Sequence, residues 1–145
     1  MTGVQTCALP IYACDKATDD ALARAVAWQS PVVLAAPCCH HDVAAQLRRS
    51  PAPPPYSLLT RSGILRERFA DTLTDAMRAA VLRTVGYRVD VVDFVESRHT
   101  PRNTLLRAVR TGASGGEDER RELEELTGAW GVRPRLSELL SGHPA

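Results

Sequence analysis

Apolar residues recur at three- and four-residue steps through residues 64–85: Leu65, Phe69, Leu73, Met77, Ala80 and Val81. That spacing gathers them on one side of an α-helix. Ser62 is a suitable N-cap and Gly86 a suitable residue just past the C-terminus. A second helix is expected over residues 18–28. Thr18, Asp19 and Asp20 supply its cap and acidic first turn, and Leu22, Ala25, Val26 and Trp28 lie mostly on one side. Ser30 and Pro31 break it. The run VVLAA at 32–36 is short, continuous and β-branched at its start, so it reads as a strand buried on both faces. YRVDVVDFV at 87–95 and NTLLRAVR at 103–110 read as two further strands. Only the loop 96–102 separates them, so they should pair antiparallel. Ala13, Cys14 and Asp15 read as the stub of a strand ending in a carboxylate.

The remaining stretches are shorter. Residues 42–49 can form a helix, and SPAPPP at 50–55 is an extended linker. Residues 111–118 are rich in Gly and Ser. Residues 119–127 form a charged amphipathic helix, and Trp130 with residues 136–140 forms a last helical piece. Alternating β and α elements predict an α/β fold, with parallel strands, helices on the faces of the sheet and a terminal antiparallel hairpin.

Composition narrows the function classes. The chain has 145 residues and a net charge of +1, so no global field favours nucleic acid or an anionic membrane. No apolar run approaches the roughly 20 residues of a membrane helix, and the start lacks the positive region of a signal peptide. Cys7, Cys14, Cys38 and Cys39 show no disulfide-framework spacing, which points to reduced thiols in a cytoplasmic protein. Back-translated from a GTG start, residues 1–11 resemble a common short-read sequencing adapter, base for base. One more adapter base reaches the Tyr12 codon. Residues 1–12 are therefore expected to be adapter-derived, and the authentic sequence to begin in mid-domain at Ala13.

Three stretches carry a family resemblance. ACDKATDDAL, VVLAAPCCHH and GYRVDVVDFVESRHTPRNTLLRAVR resemble the fourth, fifth and the sixth-plus-seventh strands of class I, Rossmann-like methyltransferases. One branch of that family carries Cys-Cys-His-His after the fifth strand. GAWGVRPRLSELL resembles the tail of bacterial members. The resemblance implies a C-terminal methyltransferase part over 13–110, a linker over 111–118 and a helical tail over 119–145. It implies S-adenosyl-L-methionine (SAM) as methyl donor and a small molecule or RNA as acceptor. The family's glycine-rich donor loop is not among these residues, since GASGG at 112–116 follows the last strand. The chain alone is thus expected to be inactive.

Ligands of open α/β sheets bind beyond the carboxyl ends of the strands. That rule selects residues 15–18 and 37–41. Asp15 is expected to act in catalysis and donor positioning, with Thr18 beside it. Pro37, Cys38, Cys39 and Asn103 are expected to line the acceptor pocket. His40 or His41 could remove a proton there, since neutral imidazole suits that task near pH 7. Two readings from other classes compete. One is a non-catalytic, methyltransferase-like interaction module. The other is a small zinc protein built on Cys14 and the Cys38–His41 run, although four consecutive residues converge poorly on one tetrahedral ion.

Overall fold

The computed structural model describes residues 8–11, 14–38, 40–96, 103–113 and 116–142. The order is β1 (Ala8–Ile11), α1 (Lys16–Ala27), β2 (Val32–Ala35), α2 (His41–Arg49), a 3₁₀ turn (Tyr56–Leu59), α3 (Gly63–Thr84), β3 (Tyr87–Asp93), β4 (Thr104–Arg110), α4 (Glu117–Trp130) and α5 (Arg135–Ser141). The four strands form one sheet in the order β1-β2-β4-β3. β1 and β2 run parallel, with Ile11 opposite Ala35. β4 is antiparallel to both β2 and β3.

The strand expected at residues 13–15 lies earlier, at Ala8–Ile11. Cys14 and Asp15 instead form the turn into α1. Pro10, lacking an N–H, sits in β1 because β1 is an edge strand of this sheet. Helix α1 begins before Thr18, at Lys16, with Asp15 as its N-cap residue.

Side chains alternate across a sheet, and one face carries the core. Val33 and Ala35 of β2, Leu106 and Ala108 of β4, and Tyr87 and Val89 of β3 are all buried there. Leu22 and Ala25 of α1, Ala79, Val81 and Leu82 of α3, and Leu136 of α5 complete the same cluster. The tail helix α5 therefore shares the core of the sheet. The expectation that residues 32–36 are buried on both faces needs correction. Val32 and Leu34 are only half-buried, because the core helices cover the opposite face.

A second cluster lies between helices. Val43, Ala44 and Leu47 of α2 meet Ala70, Leu73 and Met77 of α3, with Trp130 and Val132 beside them. Trp130 stacks at a tilt on Phe69, ring centroids 4.6 Å apart. Trp28, expected on the apolar side of its helix, is instead 67% exposed because the helix ends at Ala27 and the chain turns away.

Helix α3 matches its predicted stripe at Leu73, Met77 and Val81, while Leu65 is exposed. Gly86 has φ 97° and ends the helix as its position implied. Helix α4 starts at Glu117, inside the expected linker, because Glu117, Asp118 and Glu119 complement the helix dipole. It ends at Gly131, where φ is 61°. A Cβ there would lie 3.0 Å from Ser50 Oγ. We expect Gly131→Ala to lower stability by about 1–2 kcal/mol, mainly from the left-handed backbone; the shift of a urea unfolding midpoint reads it. Among the described residues, no helix is long and apolar enough to cross a membrane.

Candidate functional site

The parallel pair β1 and β2 releases two turns side by side at its carboxyl end. Ala36 N–H donates to Ile11 O at 3.1 Å, so the strand ends stay together as the chain leaves the sheet. Cys14 and Cys38 then meet, Sγ to Sγ, at 2.9 Å. Asp15 follows with φ 49° and ψ −117°. Those angles suit the first central residue of a type II′ turn, a place glycine normally takes. A non-glycine residue held there stores about 1–3 kcal/mol of strain, and such strain clusters at functional sites. The Asp15 carboxylate accepts the Asp42 N–H at 3.3 Å, at the start of α2. Lys16 pairs with the Asp42 carboxylate at 3.2 Å. The turn after β1 and the helix after β2 are thus cross-linked at their polar ends.

Beneath the turns lies a buried charge network that sequence reasoning missed. Arg78 of α3 is 2% exposed. Its Nε and Nη2 donate to the two carboxylate oxygens of Asp19 at 2.8 and 3.0 Å. Nη2 also donates to the Asp15 carbonyl at 2.9 Å, and Nη1 to Asp75 at 3.4 Å. Burial by itself lowers the pKa of the guanidinium. The hydrogen bond and charge of Asp19, helped by Asp75, outweigh that and leave it raised above its ordinary value. Asp75 then bonds His40 Nε2 at 2.8 Å, and Asp71 bonds His40 Nδ1 at 2.9 Å. The chain Asp71–His40–Asp75–Arg78–Asp19 ties α3 to the turn after β2 and to the first turn of α1. It holds both turns of the candidate site.

This geometry sorts the predicted residues. Each ring nitrogen of His40 is already hydrogen-bonded to a carboxylate, Nδ1 to Asp71 and Nε2 to Asp75. His41 is exposed at the first position of α2. Thr18 is wholly buried and presents no surface to a donor molecule. Asn103 acts as a latch on the hairpin: its Oδ1 accepts from Val95 N–H at 2.6 Å, and its Nδ2 donates to Val95 O. Pro37 and His40 line a cleft of about 650 Å³, together with Ile64, Asp71, Val91 and Thr104. Cys38 is exposed on the rim beside Cys14. Cys39 lies outside the described residues. Among the described residues, no three His, Cys, Asp or Glu side chains are placed to share a metal ion.

Asp71, Asp75 and Arg78 did leave a trace in the sequence. They stand at i, i+4 and i+7, a charged row on one side of α3. That row normally marks a solvated face.

The cleft volume falls within the range of small-ligand sites. Its walls are mixed, with apolar Pro37, Ile64 and Val91 over a polar floor of His40, Asp71 and Asp75. No curated protein and no solved structure matches the chain. Residues 3–46, which span β1, α1, β2 and most of α2, match a family model described as a methyltransferase domain, and this similarity supports a methyltransferase-like function.

Proposed function

We propose that this chain is the C-terminal, acceptor-side part of a class I, Rossmann-like methyltransferase that uses SAM as donor. The observation that carries the reading is Asp15. It occupies a strained, glycine-type conformation at the carboxyl end of β1, within the stretch that matches the methyltransferase family model. The order β2-β4-β3, with the last strand reversed between its neighbours, supports the resemblance to strands five, seven and six of that fold.

The residues present do not by themselves make a donor site. The cavity beside Asp15 has room for about one water, at roughly 10 Å³. Thr18 is enclosed, and no glycine-rich strand–loop–helix unit occurs in the sequence. What these residues do is hold and orient an acceptor. The Pro37 cleft takes the acceptor's body, and Asp15 positions the start of α2 by accepting the Asp42 N–H. Correct orientation of the reacting atoms is itself a large part of such a rate enhancement.

The test compares the 145-residue chain with a version extended upstream by the source reading frame. Sequencing the source locus across the Ala13 codon supplies that frame and shows whether residues 1–12 are foreign. We expect saturable SAM binding by equilibrium dialysis for the extended protein and none for the 145-residue chain. An extended protein that binds no SAM would favour the non-catalytic module. Asp15→Gly separates strain from chemistry. It should raise the urea midpoint by the equivalent of about 1 kcal/mol, because glycine adopts these angles freely. It should also cut methyl transfer by the extended protein at least tenfold. Full activity in that variant would leave Asp15 a structural turn residue.

A further inference from the structure

Cys14 and Cys38 come from turns 24 positions apart and meet at 2.9 Å on an exposed rim. Carbonyl and amide bonding explains why they stay there. Ala17 N–H caps Cys14 O at 3.0 Å, and Ala36 N–H binds Ile11 O two residues before Cys38. Both backbones are therefore held by the fold, independently of the sulfurs. A disulfide needs sulfurs about 2.05 Å apart, so the pair is within 1 Å of bonding distance. A tetrahedral ion with Zn–S bonds of about 2.3 Å would hold two thiolates about 3.8 Å apart and would need at least one more ligand from the protein. Among the described residues no third ligand is placed to complete such a set. His40, two positions after Cys38, is turned to Asp71 and Asp75.

We propose that Cys14 and Cys38 form a thiol–disulfide exchange site that closes on a low-molecular-weight disulfide such as oxidised glutathione. The thiolate of one cysteine attacks the glutathione disulfide. A protein–glutathione S–S bond forms, the glutathione S–S bond breaks, and one glutathione thiolate leaves. The second protein thiolate then attacks the protein sulfur of that mixed disulfide. The Cys14–Cys38 bond forms and the second glutathione leaves. Two protein thiols are oxidised, one glutathione disulfide is reduced, and the two thiol protons pass to the two glutathiones. The bond ties the turn after β1 to the turn after β2, on either side of which stand Asp15 and Pro37. Oxidation state is thereby coupled to the spacing of the two turns. This site does not depend on the methyltransferase reading.

The experiment treats the reduced full chain with oxidised glutathione, quenches with acid, alkylates remaining thiols and maps the linked peptides by mass spectrometry. Cys7→Ser/Cys39→Ser is used as the parent, because Cys7 shares a tryptic peptide with Cys14 and Cys39 shares one with Cys38. The expected product links the Cys14 and Cys38 peptides, with the loss of two reactive thiols. Ring closure should be at least tenfold faster in native buffer than in guanidinium chloride, where the fold no longer holds the turns together. Cys14→Ser and Cys38→Ser should each stop at the mixed disulfide with glutathione. Equal rates in both solvents, or mixed disulfides alone in the parent, would each overturn the proposal. So would a stoichiometric zinc ion that protects both thiols.

Discussion

Replacing Arg78 with Met is expected to lower the free energy of unfolding by about 3–5 kcal/mol, the cost of removing one partner from a buried ion pair. Met keeps much of the volume and apolar stem, so little of the loss comes from a cavity. The loss comes from Asp19 and Asp75, whose buried carboxylates lose the guanidinium that hydrogen-bonds them. The Asp15 carbonyl loses a donor as well. Because the pKa of Arg78 is raised from an already high value, no accessible pH removes the cation, and substitution is the way to probe it. Arg78→Lys should recover only part of the loss. An ammonium is a point charge and cannot meet both Asp19 oxygens in the forked geometry that Nε and Nη2 use. Adding Asp19→Asn to Arg78→Met should return part of the stability, since the stranded charge is then gone. Urea unfolding midpoints read all three variants. A change under about 1 kcal/mol in Arg78→Met would show that the network does not hold the two turns.

His40→Ala is expected to cost about 2–3 kcal/mol of stability, because it leaves a buried carboxylate without its hydrogen-bond partner at the other end of the network. Its side chain is 4% exposed and bridges two carboxylates. Asp75 side-chain exposure is 9%, so that partner cannot turn to water when the ring is removed, whereas Asp71 at 24% is partly hydrated. Asp71→Asn should accordingly cost less, about 1 kcal/mol, in line with a part-exposed hydrogen bond. The ranking His40→Ala above Asp71→Asn is the signature of a structural clamp. A stable His40→Ala variant whose extended form loses methyl transfer would instead restore the general-base reading of this histidine. These two substitutions bear directly on the site. Arg78 and His40 connect α3 to the two turns where Asp15 and Pro37 stand, so loss of either should loosen the cleft.

The sequence alone determined most of the elements. Helix α3, strand β2 and the β3–β4 hairpin follow from local periodicity and from punctuation by Ser62, Gly86, Pro31 and Pro37, all short-range signals. The rule about strand ends also singled out Asp15 and residues 37–41 as neighbours, and the parallel pairing of β1 with β2 puts them together. Only the tertiary structure decided what those residues do. Thr18 is buried by the packing around α1, while His40 is clamped and Asn103 is a latch because each meets a partner from another part of the chain, or across a hairpin turn, that local pattern does not specify. Asp71, Asp75 and Arg78 form a charged row of the kind that normally marks a solvated helix face. They are drawn inside because α3 lies across two turns that present an imidazole, a carbonyl and the carboxylate of Asp19 to it. A charged row reads as surface until a complementary set of buried partners is found, and in this fold those partners stand 31 to 63 positions away along the chain.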